Sequence, residues 1–191
     1  MRSKMGVFPD LDKPQARRSA TSIVVHRCPA WRARAAATAL AVQLGLCLLD
    51  VARRLAGTLP EPLSAAWLRE STLRSVAFAL TALAFIAWLR RVYENLGSAR
   101  AMDPRWTTWG WVAPGPNLVV PFLLVREVVR PLGPRARWLS AAWWAAWLGH
   151  LLAGLASGLA ADALGALAAA LAIALVLQVT RRPRAMAPLA F

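Results

Sequence analysis

The stretch Trp106-Thr107-Thr108-Trp109-Gly110-Trp111-Val112-Ala113-Pro114-Gly115-Pro116-Asn117-Leu118-Val119-Val120-Pro121-Phe122-Leu123-Leu124-Val125 decides the reading of this chain. It is apolar, and about 20 residues of helix span a bilayer core of roughly 30 Å. Its centre is Pro114-Gly115-Pro116, and Pro121 follows. Each proline removes a backbone donor and clashes with the preceding helical turn. A segment broken there exposes unpaired backbone groups, which hydrocarbon does not tolerate. The expected structure is a re-entrant or interfacial segment packed inside the protein.

Four unbroken apolar runs surround it. Ala35–Val51 is interrupted only by Thr38, Gln43 and Asp50; Thr72–Leu89 follows Pro60-Glu61-Pro62 and the interfacial Trp67. Asp50 is expected to pair with Arg53 or Arg54, one helical turn away, and Arg74 to snorkel. Trp138–Ala160 and Leu164–Val179 form an expected helical hairpin with Asp162 at its connection. If residues 106–125 return to the side they left, Arg53, Arg54, Arg69 and Arg74 are the only basic residues outside, and the other 19 of the 23 lie inside. If the segment crosses, the split is 12 against 11. Cationic flanks favour the cytoplasmic side, so the first topology is expected. The fold class is therefore all-α integral membrane, with four transmembrane helices, one proline-broken segment and cytoplasmic termini.

Composition agrees. The chain of 191 residues is 58% hydrophobic, above the ~45–50% usual for soluble domains, and its mean hydropathy is +0.45. The formal charge of +14 lies mostly beside apolar runs. This placement suits orientation and anionic headgroups on the cytoplasmic side, and nucleic acid is not an expected partner. Residues 1–28 hold mixed charges and prolines without an apolar signal core, and read as a partly disordered cytoplasmic tail. The transmembrane domain covers 29–184, and 185–191 form a short tail. Cys28 and Cys47 suggest no disulfide framework, and with two distant histidines they make no zinc site. No phosphate loop, His-Glu-x-x-His or Gly-x-Ser-x-Gly motif occurs. No catalytic, metal or cofactor site is expected. Heavy use of Ala, Arg and Leu suggests a GC-rich bacterial genome, and with the expected spans and cationic flanks the expected location is the bacterial inner membrane.

Several residues carry a resemblance. The second span ends with Trp88, Arg91 and Asn95; then come Trp106, Trp111, Pro114, Asn117, Pro121 and Glu127, and later the pair Trp143 and Trp144. In order and spacing they resemble the bacterial membrane family called domain of unknown function 4328, over roughly residues 72–179. Departures are the position of Gly110, Val129 where an aromatic is common, and His150 where a small or neutral polar residue is expected. The resemblance implies a membrane architecture and no known activity.

The candidate polar pocket comprises Asn117, Arg91, Asn95, Trp106, Trp111, Glu127 and His150. The simplest role for Asn117 is capping the returning half-helix or bonding free carbonyls at the turn; lining a ligand pocket is the sharper one. Trp106, Trp109 and Trp111 read first as an interfacial belt. His150 shares a helical stripe with Trp143, Ala146, Ala153, Gly154 and Ser157, expected to face other helices. Trp144, Leu148, Leu152, Leu155 and Leu159 share the face expected to meet lipid. A hydrogen-bonded histidine is the simpler reading, and a ligand or proton relay the functional one. Gly154–Gly158 reads as a close-packing signal. The expected cavity lies near Asn117, opens to the cytoplasm and is rimmed by Trp106, Trp111 and Arg91. The expected function is a non-enzymatic module binding lipid or a membrane-protein partner, with homo-oligomerisation open. A small-solute or ion pathway around the broken segment is the alternative.

Overall fold

Stop signals in the sequence set the helix ends. A computed structural model describes residues 30–181; the expected tails, with Cys28 and His26, lie outside the described residues. Helix α1 covers Ala30–Leu55 and α2 Ala65–Glu94. Gly57, at φ +64, ends α1: its N–H bonds the Arg54 carbonyl and the Thr58 N–H the Arg53 carbonyl. This is the left-handed glycine cap that closes orphan carbonyls. Ser64 starts α2 by accepting the Trp67 N–H at 3.1 Å. The broken segment becomes α3, Trp106–Val112, a turn of 3-10 helix at Pro116–Leu118, and α4, Val120–Val129. The two limbs bend by 106°. Pro114 ends the first limb, and Gly115, at φ +85, makes the turn. Helices α5, Pro134–Ala153, and α6, Gly158–Arg181, complete the chain.

By length and composition, α1, α2 and α6 are apolar enough to cross a membrane, and the bent pair is a fourth if it counts as one span. The chain is thus a multi-pass membrane protein. Helix α5, expected to span from Trp138 to Ala160, is not in this set. It stops at Ala153, because the chain turns over Gly154–Ser157 and Ser157 Oγ accepts the Ala160 N–H at 3.4 Å. Residues 154–158, expected as a packing stripe, are therefore mostly the turn, and Asp162 belongs to the first turns of α6.

Helix α6 packs on α1 and α5; α2 packs on α1; α4 lies against α5, and α3 bridges α2 and α4. The buried core gathers at one end. It includes Trp88, Leu89 and Tyr93 of α2, Leu124 and Val129 of α4, and Leu175 and Val176 of α6. Leu73 and Leu83 on α2 are each 63% exposed, an apolar surface suited to lipid rather than water.

Two expected placements change in the tertiary structure. Asp50 is buried and its partner is Arg74 of α2, not Arg53 or Arg54. Those two reach Glu70 at 2.7 Å and Asp162 at 2.5 Å. Asp50 faces the helix interface, and a buried carboxylate takes the cation that projects into the same interface. Arg74 also meets Glu70 at 3.1 Å. Trp144, placed on the lipid face by periodicity, is buried: α4 covers it, and it stacks on Trp147 at 4.7 Å and faces Phe122 at 6.4 Å.

A cavity beneath the broken segment

The tip of the broken segment closes one side of a cavity of about 350 Å³. Its walls come from α1, α2, α5, α6 and residues 111, 112 and 117. Aromatic side chains form one wall. Phe85 lies 5.9 Å from Trp111 and 5.6 Å from Trp143, and Trp111 meets Trp147 edge-on at 6.5 Å. The α6 wall is built from Gly165, Ala168, Ala169 and Ala172. Small residues are needed there. A Cβ at Gly165 would sit 3.0 Å from His150 Nδ1 and 3.3 Å from Cys47 Sγ.

The polar groups around it are few. Gln43 Nε2 donates to Cys47 Sγ at 3.7 Å, and Gln43 Oε1 is buried without a partner among the described residues. The Thr81 hydroxyl lies 2.8 Å from the Ala77 carbonyl and 3.1 Å from that of Ala39, which ties α2 to α1. His150 Nδ1 lies 2.7 Å from the Ala161 carbonyl. A carbonyl only accepts, so this nitrogen carries the proton and donates across the α5–α6 interface. Trp111 Nε1 is buried and has no partner among the described residues. Asn117 does not cap a helix: Gly115 and Val119 hold the cap positions, neither with a side-chain bond. Among the described residues no hydrogen bond forms to its amide side chain, which lines the cavity.

Of the seven candidates, Asn117, Trp111 and His150 therefore meet at the cavity. Trp111 leaves the expected interfacial belt for the interior, whereas Trp106 and Trp109 are 38% and 62% exposed. Arg91, Asn95 and Glu127 do not line the cavity, nor does Trp106. Glu127 instead anchors the returning limb. Its carboxylate accepts the Tyr93 hydroxyl at 2.8 Å and the Ala101 N–H at 2.5 Å. Tyr93 in turn accepts the Met102 N–H at 3.0 Å. Arg91 lies 3.5 Å from Glu94, and Asn95 ends α2 through its own N–H on the Arg91 carbonyl at 3.2 Å.

Gln43, Cys47 and Thr81 were missing from the candidate set. Gln43 had a signal, as one of three polar residues in the first apolar run; Cys47 and Thr81 had none beyond weak polarity. The cavity is also less polar than expected: among the described residues no Asp, Glu, Lys or Arg lines it. Phe78 and Val112 at its edge are 48% and 68% exposed, so its edge meets the lateral, apolar surface of the bundle.

Among the described residues no group of acidic, His and Cys side chains could hold a metal ion. No curated protein and no solved structure matches the chain. A family model does match, over residues 64–182, from the cap of α2 to the end of α6; helix α1, with Gln43 and Cys47, lies outside that match. The chain belongs to the family described as Domain of unknown function (DUF4328).

Proposed function

We propose that this protein is a non-enzymatic module of the bacterial inner membrane that binds an apolar or amphipathic molecule in the cavity under its broken segment. The carrying observation is that cavity of about 350 Å³, with no Asp, Glu, Lys or Arg among the described residues of its wall and with exposed apolar residues at its edge. Apolar concave sites with a few polar groups are the usual form of small-molecule sites. The proposed topology has α1, α2, α5 and α6 crossing, both termini in the cytoplasm and residues 106–129 re-entering. Two observations support re-entry: the limbs bend by 106°, and Glu127 on the returning limb bonds Tyr93 and Ala101, close in sequence to where the segment departs. The charge distribution supports the orientation. At the α1–α2 turn, Asp50, Glu61, Glu70 and Asp162 balance Arg53, Arg54, Arg69 and Arg74, while basic residues predominate at the other end.

The test is twofold. Reporter fusions after Ala101 and Gly133 should both read cytoplasmic, and one after Pro62 periplasmic; a periplasmic Gly133 overturns re-entry. Mass spectrometry of protein purified in mild detergent should reveal a retained lipid-like molecule that Asn117→Leu or Gly165→Leu reduces. Retention unchanged in both variants removes the cavity from the reading.

A second reading, a small-solute or ion path, is favoured by one observation. Asp50 is buried and paired with Arg74 one turn beyond Cys47, and intramembrane ionisable residues often mark pathways. Solute flux into proteoliposomes, abolished by Asp50→Asn, would support it.

A further inference from the structure

Resting on the reading of the cavity as a lipid-accessible site, we propose that its occupant is an uncharged amphiphile whose head carries a hydroxyl donor and an oxygen acceptor. An acylglycerol and a membrane quinol share this chemistry; a phospholipid does not.

Charge is the first argument. Among the described residues eighteen line the cavity, and none of them is Asp, Glu, Lys or Arg. A phosphate seated there would lose its hydration without a counter-ion, at a cost that apolar burial does not offset. On the helices that wall it, Arg74 is committed to Asp50 and Glu70, and Arg54 to Asp162. Phosphate chemistry therefore belongs to the arginine-rich ends of the bundle, and this cavity selects against it.

The hydrogen-bond inventory is the second argument. Among the described residues Gln43 Oε1 is an acceptor without a donor, and Trp111 Nε1–H a donor without an acceptor. Asn117 adds an amide that offers both. With Nδ1 given to Ala161, an uncharged His150 keeps Nε2 as an acceptor only. A pure hydrocarbon chain would leave all of these unpaired. A hydroxyl supplies the donor for Gln43 or His150, and a second oxygen accepts from Trp111 or Asn117.

Shape is the third. The cavity lies between an aromatic wall and the Gly165–Ala172 face of α6, and its volume of about 350 Å³ holds roughly a dozen water- or methylene-sized groups. It takes a head and the first part of a chain. The remainder of the chain leaves past Phe78 and Val112 toward lipid.

The thiol of Cys47 lines the cavity and reports occupancy. The full chain carrying Cys28→Ser is placed in phosphatidylcholine nanodiscs, and alkylation of Cys47 by N-ethylmaleimide is timed. Added probes are 1-monooleoylglycerol, a short-chain benzoquinol and 1-oleoyl-lysophosphatidylglycerol. Saturable protection by either neutral probe, and none by the lysophospholipid, is expected, and the protecting probe identifies the source. Trp111→Phe keeps a ring and loses the N–H, and should raise the midpoint of protection about tenfold, the equivalent of one hydrogen bond. Asn117→Ala gives the same readout if Trp111→Phe does not fold. Protection by the lysophospholipid at an equal or lower concentration overturns the inference while leaving a lipid-binding cavity in place. An unchanged midpoint in the folded variants overturns it too. Absence of protection by all three probes overturns both the inference and the binding reading.

Discussion

Replacing Tyr93 by Phe removes one oxygen from the point where the returning limb of the broken segment is tied down. Tyr93 is fully buried; its hydroxyl donates to Glu127 at 2.8 Å and accepts the Met102 N–H at 3.0 Å. A hydrogen bond to a charged group contributes about 1.5–3 kcal/mol and a neutral one about 1 kcal/mol. Glu127 is half-buried and keeps the Ala101 N–H at 2.5 Å, so the low end of that range applies. Tyr93→Phe should therefore destabilise by about 2–3 kcal/mol, a fall in Tm of roughly 5–10 °C for a chain of this size. Glu127→Ala frees both the hydroxyl and the Ala101 N–H and should cost a similar or larger amount. The decisive measurement is the double-mutant cycle, followed by circular dichroism during unfolding in mixed micelles. The two residues share one bond, so the double variant should be less destabilised than the sum of the singles by about 1–2 kcal/mol. Strict additivity, or a Tyr93→Phe effect below about 0.3 kcal/mol, would refute the idea that this bond anchors the segment.

Three further outcomes follow from the packing. A Cβ at Gly110 would lie 2.5 Å from Val120 Cγ1 and 3.1 Å from its Cβ; Gly110→Ala should cost about 1–3 kcal/mol by overpacking against a stiff β-branched side chain, and adding Val120→Ala should recover much of the lost Tm. His150→Leu breaks the bond to Ala161 and should lower stability by about 1–2 kcal/mol, whereas Leu152→Ala, at a site 68% exposed, should change it by less than about 0.5 kcal/mol; equal effects in a detergent melt would remove His150 from the interior. Arg74→Ala leaves the buried Asp50 unpaired and should cost about 3–5 kcal/mol, much of it restored by adding Asp50→Asn, while Arg69→Ala on the exposed face of α2 serves as the control.

Much of the architecture was legible because its determinants are local. Apolar runs bounded by arginines, the Ser64 cap, Gly57 and the Pro114-Gly115-Pro116 break act within a turn or two of the chain, so helices and their ends follow from order alone. The family likeness had the same basis, in the spacing of Trp, Asn and Pro. Asn117, Trp111 and His150 were legible as site candidates because a polar or proline-adjacent residue in an apolar run stands out. The remainder needed the bundle. Asp50 had two arginines within one turn, yet pairs with Arg74, because burial at a helix interface outweighs proximity in sequence. Trp144 sits on the apolar face of its helix, but periodicity does not say whether lipid or α4 covers that face. The hairpin turn fell at Gly154–Ser157 rather than near Asp162: Gly154, Ser157 and Gly158 are poor helix formers and Ser157 caps α6, but the same small residues also suit a packing stripe, and only the tertiary structure chose between the two. Gln43 and Cys47 acquire a site only where α1 meets α2 and α6. The sequence by itself thus determined where backbone hydrogen bonds can close locally, and so which stretches are helix and which one is broken. The tertiary structure decided which side chains share an interface, because that depends on helices distant in sequence packing together, and no local pattern encodes their rotation about one another.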